Sequence, residues 1–386
     1  MADSPYPELK KTHTMARVGR PFTDYKPPAA APVWDVIEGF GRFHVLVSAL
    51  ELDLFDTLHE TGPMSPDELA ERLDVSAPHL ATLLDGVVAL GFLDRRRGRV
   101  ELNDTARRYL VSSSPASMAD LVPVSPGPLA NWSSLTETVR RGVPADPIEN
   151  DPADFYVPLV EGTFTTINRC ATRADLQVRY SALDRPRVLD LGAGGAPWAI
   201  AVLEANRGAS AVVNDLDGVI DVARAKVAER GLEERCEFRA GDFHTIDLED
   251  AHYDLVVLGH VCRTEGVEGA RHLVERSYAA LRPGGRLLLG DYFCDEQRSQ
   301  AHHALMMGVT MMASTRAGAT FTFGEVSGWL LAAGFDAIRL IEPIGFQHVF
   351  VAMKPSDTPP TRQLGLHPSH QPRPHPARAS RERSIR

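Results

Sequence analysis

The chain is 386 residues long, 44% hydrophobic and 24% charged, a balance that supports a real core and about two domains. Its 41 Lys and Arg stand against 51 Asp and Glu, and the net charge of −10 disfavours bulk attraction to nucleic acid or to an anionic membrane. There is no apolar run of the roughly 18 residues a membrane span needs, and Cys170, Cys236, Cys262 and Cys294 form neither a C-x-x-C pair nor a disulfide framework, so the expectation is a cytoplasmic protein without a membrane partner.

In chain order, residues 1–34 are rich in Pro and Ala. They carry Lys10, Lys11 and Arg17 but no apolar signal core, and read as a disordered tail in which Met15 is a second possible start. Residues 35–60 read as a helix with Val36, Phe40, Phe43, Val47, Leu50 and Leu54 on one face. Ser65, Pro66, Asp67 and Glu68 form a helix start, with cap, first-turn proline and acids at the positive end. Ser76 opens a third helix with Leu80, Leu84 and Val87 inside, ended by Gly91. Phe92 to Leu102, with Arg95, Arg96 and Arg97 at its tip, completes a winged helix spanning 35–125.

A winged helix raises the possibility of DNA binding. The would-be recognition helix 76–90 contains no Lys or Arg and carries Asp85 as its one charge, whereas phosphate and guanine contacts need basic side chains. The expectation is therefore no nucleic-acid partner, with the domain used for protein contact. Residues 126–183 read as a helical linker with helices near 131–141 and 153–183, and from 187 strands and helices alternate as in a parallel doubly wound sheet, which spans 184–354. The predicted strands fall at 187–192, 210–215, 236–241, 253–261 and 286–293, and a closing pair falls at 337–342 and 346–353. The predicted helices fall at 196–206, 218–230, 268–281, 297–313 and 324–334. The segment 355–386 holds six Arg against one Asp and one Glu and reads as a second disordered tail.

Residues 187–195 (RVLDLGAGG) are an apolar strand running into a glycine turn where a ligand can meet bare backbone. A dinucleotide fingerprint beginning at Gly192 and Gly194 would need a third glycine at 197, which is Pro197. Asp190, at the strand end, repels a pyrophosphate and suits a cationic group. Asp215 ends the second strand and can accept from both hydroxyls of a ribose. Asp242 ends the third, placed to accept from an adenine amino group while Phe243 covers the ring. Three strand-end acids with a glycine loop point to S-adenosylmethionine, a cationic and phosphate-free nucleoside, as the cofactor.

With residues 188–195 (VLDLGAGG), 214–217 (NDLD), 240–243 (AGDF), 281–291 (LRPGGRLLLGD) and 324–335 (GEVSGWLLAAGF), the chain resembles S-adenosylmethionine-dependent O-methyltransferases of the plant caffeate type and their bacterial antibiotic-pathway relatives over about 35–354. The resemblance implies an α/β fold: a Rossmann-like class I methyltransferase domain behind an N-terminal, mainly α winged-helix dimerisation domain. It also implies a homodimer and a small aromatic acceptor. Gly192, Asp215, Asp242 and Phe243 carry over as cofactor contacts, with Gly194 and Asp190 added from the loop. Ala196 stands where many members have a third loop glycine.

One departure bears on mechanism. The family removes the acceptor's proton with a histidine just after the fourth strand, and in residues 258–266 (LGHVCRTEG) that position is Arg263, which is always protonated. Three explanations stand open. The acceptor is already anionic and Arg263 holds it; another histidine (His260, His302 or His303) is the base; or the sulfonium serves another reaction. Arg263 could instead pair structurally with Glu265 or Glu268. The helix 297–314, with Met306, Met307, Met311 and Met312, lines the acceptor site in this family. The acceptor candidates are accordingly Met307, Met311 and His303, together with Trp132, Phe155, Tyr156 and Phe164 from the linking helices. The histidines lack metal-ligand spacing, and no metal is expected. Transfer to carbon, a ligand-sensing winged-helix regulator and a nicotinamide oxidoreductase are the competing readings.

Overall fold

The computed structural model describes residues 30–125 and 127–356, so the tail segments 1–29 and 357–386 lie outside the described residues. Helix α1 (Ala31–Glu51) begins inside what the sequence suggested was tail, and α2 (Leu54–Thr61) follows it. The expected single helix is broken because Asp53 takes a left-handed φ of 53°. Helix α3 (Pro66–Leu73) opens on a full capping box, with the Ser65 hydroxyl accepting from Glu68 N and the Glu68 carboxylate from Ser65 N. Such a cap is worth about 1 kcal/mol. Helix α4 (Ala77–Ala89) starts after Ser76 as expected, but that side chain bonds the His79 ring and caps nothing.

Strands β1 (Leu93–Arg96) and β2 (Arg99–Leu102) form the antiparallel wing. Three of its four arginines are paired, Arg95 with Asp85, Arg96 with Asp94 and Glu101, and Arg99 with Glu68, while Arg97 at the tip is exposed. Leu54, Phe55, Leu84, Val87 and Val100 make this domain's core. The outer half of α1 does not join it: Val36 is 80% and Phe40 72% exposed, so two residues of the expected inner face lie on the surface.

Short helices α5 (Asp104–Tyr109), α6 (Leu121–Val124), α7 (Leu129–Ser133) and α8 (Leu135–Arg141) lead to α9 (Pro152–Val178), a 27-residue helix that runs from one side of the cleft to the other. The sheet that follows comprises β3 (Arg187–Leu191), β4 (Ser210–Asp215), β5 (Cys236–Ala240), β6 (Tyr253–Gly259), β7 (Leu281–Asp291), β8 (Asp336–Leu340) and β9 (His348–Met353), in the order β5-β4-β3-β6-β7-β9-β8. The first five are parallel, and β9 runs antiparallel between β7 and β8. The connecting helices are α10 (Pro197–Ala205), α11 (Val219–Ala228), α12 (Cys262–Ala280), α13 (His302–Ser314) and α14 (Phe323–Ala333).

The strands read as near-continuous apolar runs because both faces are covered. Val188 packs with Trp198 and Val213 on one face, while Leu189 and Leu191 pack with Leu258 and Leu273 on the other. The chain steps outward from β3 through β4 to β5, then returns to the other side of β3 at β6. That reversal opens a crevice at the carboxyl ends of β3 and β6. Helix α13 starts five residues later than predicted, because the Asp295 carboxylate accepts from Ser299 N and Gln300 N and ties residues 295–300 into a turn.

Candidate active site

The crevice holds a cavity of about 310 Å³ walled by the β3–α10 loop, the ends of β4 to β6, the first turn of α12, one side of α9 and Met311 of α13. Its floor is bare backbone. Gly192 and Gly194 have φ of +62° and +57°, and a Cβ on them would lie 2.8 Å from Val261 Cγ2 and 2.9 Å from Val160 Cγ1. Ala196 shares this left-handed geometry at φ 57° and is fully buried, so the missing third glycine is replaced by a strained alanine, at about 1–2 kcal/mol.

Asp215 is 9% exposed; its Oδ2 accepts from Gly194 N at 2.6 Å and its Oδ1 from Leu216 N at 2.8 Å. Burial raises its pKa, while those two N–H groups oppose the rise. Asp242 accepts from His244 N at 2.8 Å, and Phe243 lies beside it on the wall, near the His244–Glu265 pair at 2.8 Å. Thus Gly192, Gly194, Asp215, Asp242 and Phe243 come together along one end of the cavity.

Asp190 does not join them. Strand alternation turns it to the Val188 face, where it is 1% exposed and accepts from Ala199 N at 3.0 Å, in the first turn of α10. Burial lifts its carboxyl to about 8, so it is largely neutral, and the expected contact with a cationic ligand is replaced by a cap on a helix start.

The opposite end is walled by Phe155, Tyr156, Leu159 and Thr163 of α9 and by Met311. Of the other expected acceptor contacts, Trp132 and Met307 do not line the cavity. Nor does His303, which is stacked on Phe346 at 4.8 Å and set edge-on to Tyr292 at 4.7 Å. Burial pushes the Tyr156 hydroxyl up to about 12, and Thr264 hydrogen-bonds it.

His260 and Arg263 line the same cavity. His260 has φ 67° and is 6% exposed; its backbone N–H is fixed to Gly290 O at 2.7 Å, and both ring nitrogens lack a partner. Burial, then the charge of Arg263, lowers its pKa to about 3, a direction that disfavours the histidine base expected at this position. Arg263 pairs with neither Glu265 nor Glu268. Its Nη1 donates to Asp291 Oδ1 at 3.2 Å and to the His260 carbonyl, and the guanidinium lies 5.6 Å from the centre of the Tyr292 ring. Burial works against its charge, but Asp291, Tyr292 and Tyr156 outweigh that and raise the Arg263 pKa. Burial also raises the Asp291 carboxyl, but with the guanidinium beside it and two N–H groups donating to it we assign the pair as ionised.

Sequence reasoning missed several wall residues. The helix expected from 268 begins at Cys262, and Gly266 (φ 65°, ψ −173°) kinks it after one turn. That turn carries Arg263, Thr264 and Glu265 into the cavity. Asp291, which stands behind the wall at Arg263, lay inside a matched motif without an assigned role, and Val160 and Thr163 carried only the helical periodicity of α9, whereas Phe164, an expected acceptor candidate, does line the cavity. Among the described residues, no group of three His, Cys, Asp or Glu could hold a metal ion.

The cavity fits a cationic nucleoside: bare glycine backbone below, an aspartate at each of two strand ends, and no phosphate-type nest of basic side chains. Residues 34–112 match the O-methyltransferase dimerisation domain and residues 166–336 the O-methyltransferase domain. The chain is 28% identical over 322 residues to the 3-hydroxy-5-methyl-1-naphthoate 3-O-methyltransferase of Streptomyces sahachiroi, covering 80% of this chain and 90% of that one. It is 30% identical over 270 residues to the N,N-dimethyltransferase OxyT of Streptomyces rimosus, covering 67% and 77%. Human N-acetylserotonin methyltransferase in complex with S-adenosylmethionine superposes with a TM-score of 0.73 at 24% identity, over 86% of this chain and 99% of that one. Fold, cleft and relatives together define an S-adenosylmethionine-dependent methyltransferase. The chain belongs, more narrowly, to the O-methyltransferase family that carries an N-terminal dimerisation domain, and its cofactor is S-adenosylmethionine.

Proposed function

We propose that this enzyme methylates an oxygen of a small aromatic, polyketide-type secondary metabolite and works as a homodimer. The observation that carries the reading is a shared cavity: Phe155, Tyr156, Leu159 and Met311 give apolar lining to the same space that the glycine loop and the two aspartates border. The naphthoate specificity of the Streptomyces sahachiroi relative supports the same acceptor class. Identity with OxyT favours a second reading, transfer to nitrogen.

In this reading Asp215 takes the ribose hydroxyls, Asp242 the adenine amino group, and Phe243 covers the adenine. When bound, S-adenosylmethionine supplies a methyl group activated by its sulfonium. The chain's own work is then alignment: His260 and Arg263 hold the acceptor atom in line, which accounts for much of such a rate enhancement. The exposed Val33, Trp34, Val36, Ile37 and Phe40 of α1 form an apolar surface suited to a second copy. The recognition-helix position without Lys or Arg, and the pairing of Arg95, Arg96 and Arg99 in the wing, speak against a nucleic-acid partner. No described helix is long and apolar enough to cross a membrane, and the four free cysteines fit a reducing cytoplasm.

The test is methyl transfer from labelled cofactor to a panel of hydroxylated naphthoates and aromatic polyketides, read by mass spectrometry, with sedimentation velocity on the same sample. A labelled product from an aromatic hydroxyl and a two-chain mass are expected. No transfer to any hydroxyl, or transfer to amines alone, overturns the oxygen assignment.

A further inference from the structure

On the footing of that reading, we infer that the acceptor is bound as an oxyanion, held by the Nε–H of Arg263 and a ring nitrogen of neutral His260, and that the enzyme supplies no base. The substrate class is then narrower than a phenol: an acidic phenol or an enol whose hydroxyl ionises near neutral pH.

The argument starts from unfilled bonds. Arg263 spends Nη1 on Asp291 and on the His260 carbonyl, while its Nε is buried without a partner. Both ring nitrogens of His260 are buried without a partner as well. A buried donor or acceptor without a partner is a cost that a ligand atom bonding there relieves. The two residues touch, since the Arg263 guanidinium donates to the His260 carbonyl, and both flank Tyr292, the His260 ring at 5.4 Å and the guanidinium at 5.6 Å. Both residues line the cavity. His260 is further held in a left-handed backbone that a non-glycine residue adopts only when its surroundings impose it. A fixed cation beside a neutral imidazole is a donor set for one negative oxygen.

The carboxylates around Arg263 are engaged, and His244 and His303 are the alternative bases that the pH series below would expose. The groups facing Arg263 are Asp291 and Tyr292 after β7, Tyr156 on α9, Thr264 and Glu265 on α12, Glu149 before α9, and His303 on α13, with His244 bound to Glu265. Asp291 is already occupied by the guanidinium and two N–H groups, and Glu265 by His244 and Thr264. Glu149 is turned to Arg316 N. Tyr156 keeps its own proton, and His260 is far too weak a base. On this proposal the acceptor loses its proton to water. Its oxygen lone pair then forms the O–CH₃ bond as the S–CH₃ bond breaks, with that electron pair left on sulfur. Asp291 is a positioning residue that aims the guanidinium.

The test is kcat/KM against pH for a series of naphthols and hydroxynaphthoates of graded acidity. The inflection is expected to move with the ionisation of each acceptor. In Arg263→His, where Asp291 would again orient a titratable imidazole, an inflection common to all acceptors is expected. Arg263→Gln should lose about 100-fold in kcat/KM, the scale of a buried charge-assisted hydrogen bond. Its affinity for S-adenosylhomocysteine, measured by calorimetry as a check on folding, should hold within about threefold, and Arg263→Lys should recover part of the loss. A wild-type inflection shared by every acceptor, or Arg263→Gln within about threefold of wild type, overturns the proposal.

If nothing is methylated, the functional reading fails first and binding judges the oxyanion site alone. A nitronaphthol titrated by absorbance on enzyme loaded with S-adenosylhomocysteine should ionise at lower pH when bound, and should lose that shift in Arg263→Gln. Ionisation at the solution pH, or no binding, counts against the site.

Discussion

The two ends of the cavity are made of different material. The cofactor end is backbone and strand termini: Gly192, Gly194, Asp215 and Asp242 all fall within three residues of a parallel strand's carboxyl end. The acceptor end is side chains gathered from α9, from α13 and from a single kinked turn of α12. A site made by main-chain geometry tolerates few alternatives, because a Cβ at Gly192 would strike Val261. A site made by side chains on helices can be re-lined one residue at a time. The first kind fixes the donor; the second is where one fold acquires different acceptors.

The largest expected effect is at the cofactor end. Asp215→Ala removes the acceptor for Gly194 N and Leu216 N together with the proposed ribose contact, so the Kd for S-adenosylhomocysteine by calorimetry should rise by about 100-fold or more. An unchanged Kd would break the division between the two ends. Gly192→Ala comes next: a left-handed φ and the close approach to Val261 should weaken the same Kd by about 10-fold, the loop having to shift by several tenths of an ångström.

Phe155→Ala sharpens the contrast from the other side. It should raise the acceptor KM by about 10-fold while leaving cofactor Kd within about twofold, since the ring contributes apolar area to one end alone. The smallest effect on binding belongs to Asp190→Asn. Cofactor Kd should stay within about twofold, and the change should appear in stability.

The sign for Asp190 follows from its raised pKa. The folded carboxyl keeps its proton up to about 8, against an ordinary 3.8, so its contribution is fully present below the ordinary value and is lost as pH rises toward 8. Melting temperature followed from pH 4 to 8 should fall less steeply in the Asn variant, which cannot ionise. A variant that melts lower than wild type at pH 8 would show that the carboxylate, not the acid, is the native species.

What the sequence disclosed follows the same division. The β3 loop and the acids ending β4 and β5 are local: each needs only a strand and the turn after it, and the apolar runs that mark strands are short and continuous here. Asp190 was misread because position along a strand was considered without its parity, and parity sends it under the loop with Val188. The α12 turn was misplaced because Gly266 interrupts the periodicity that marks a helix. Trp132 and Met307 show the limit for the acceptor end, since composition names aromatic and sulfur-bearing candidates but only tertiary packing decides which of them reach the cavity. Arg263 was legible as a departure, whereas its partnership with Asp291, 28 residues away, required the sheet that brings β6 and β7 side by side.

Helix α9 touches both ends. Val160 and Phe164 roof Gly194 and Gly195, while Phe155 and Tyr156 roof the other chamber, and between the two sets lies Pro158, which has no N–H to give to the preceding turn. A donor lying beneath the inner half is shut in once an aromatic guest fills the outer half. Ordered turnover is the expected consequence, donor first and spent nucleoside last, and product-inhibition kinetics with S-adenosylhomocysteine would check it.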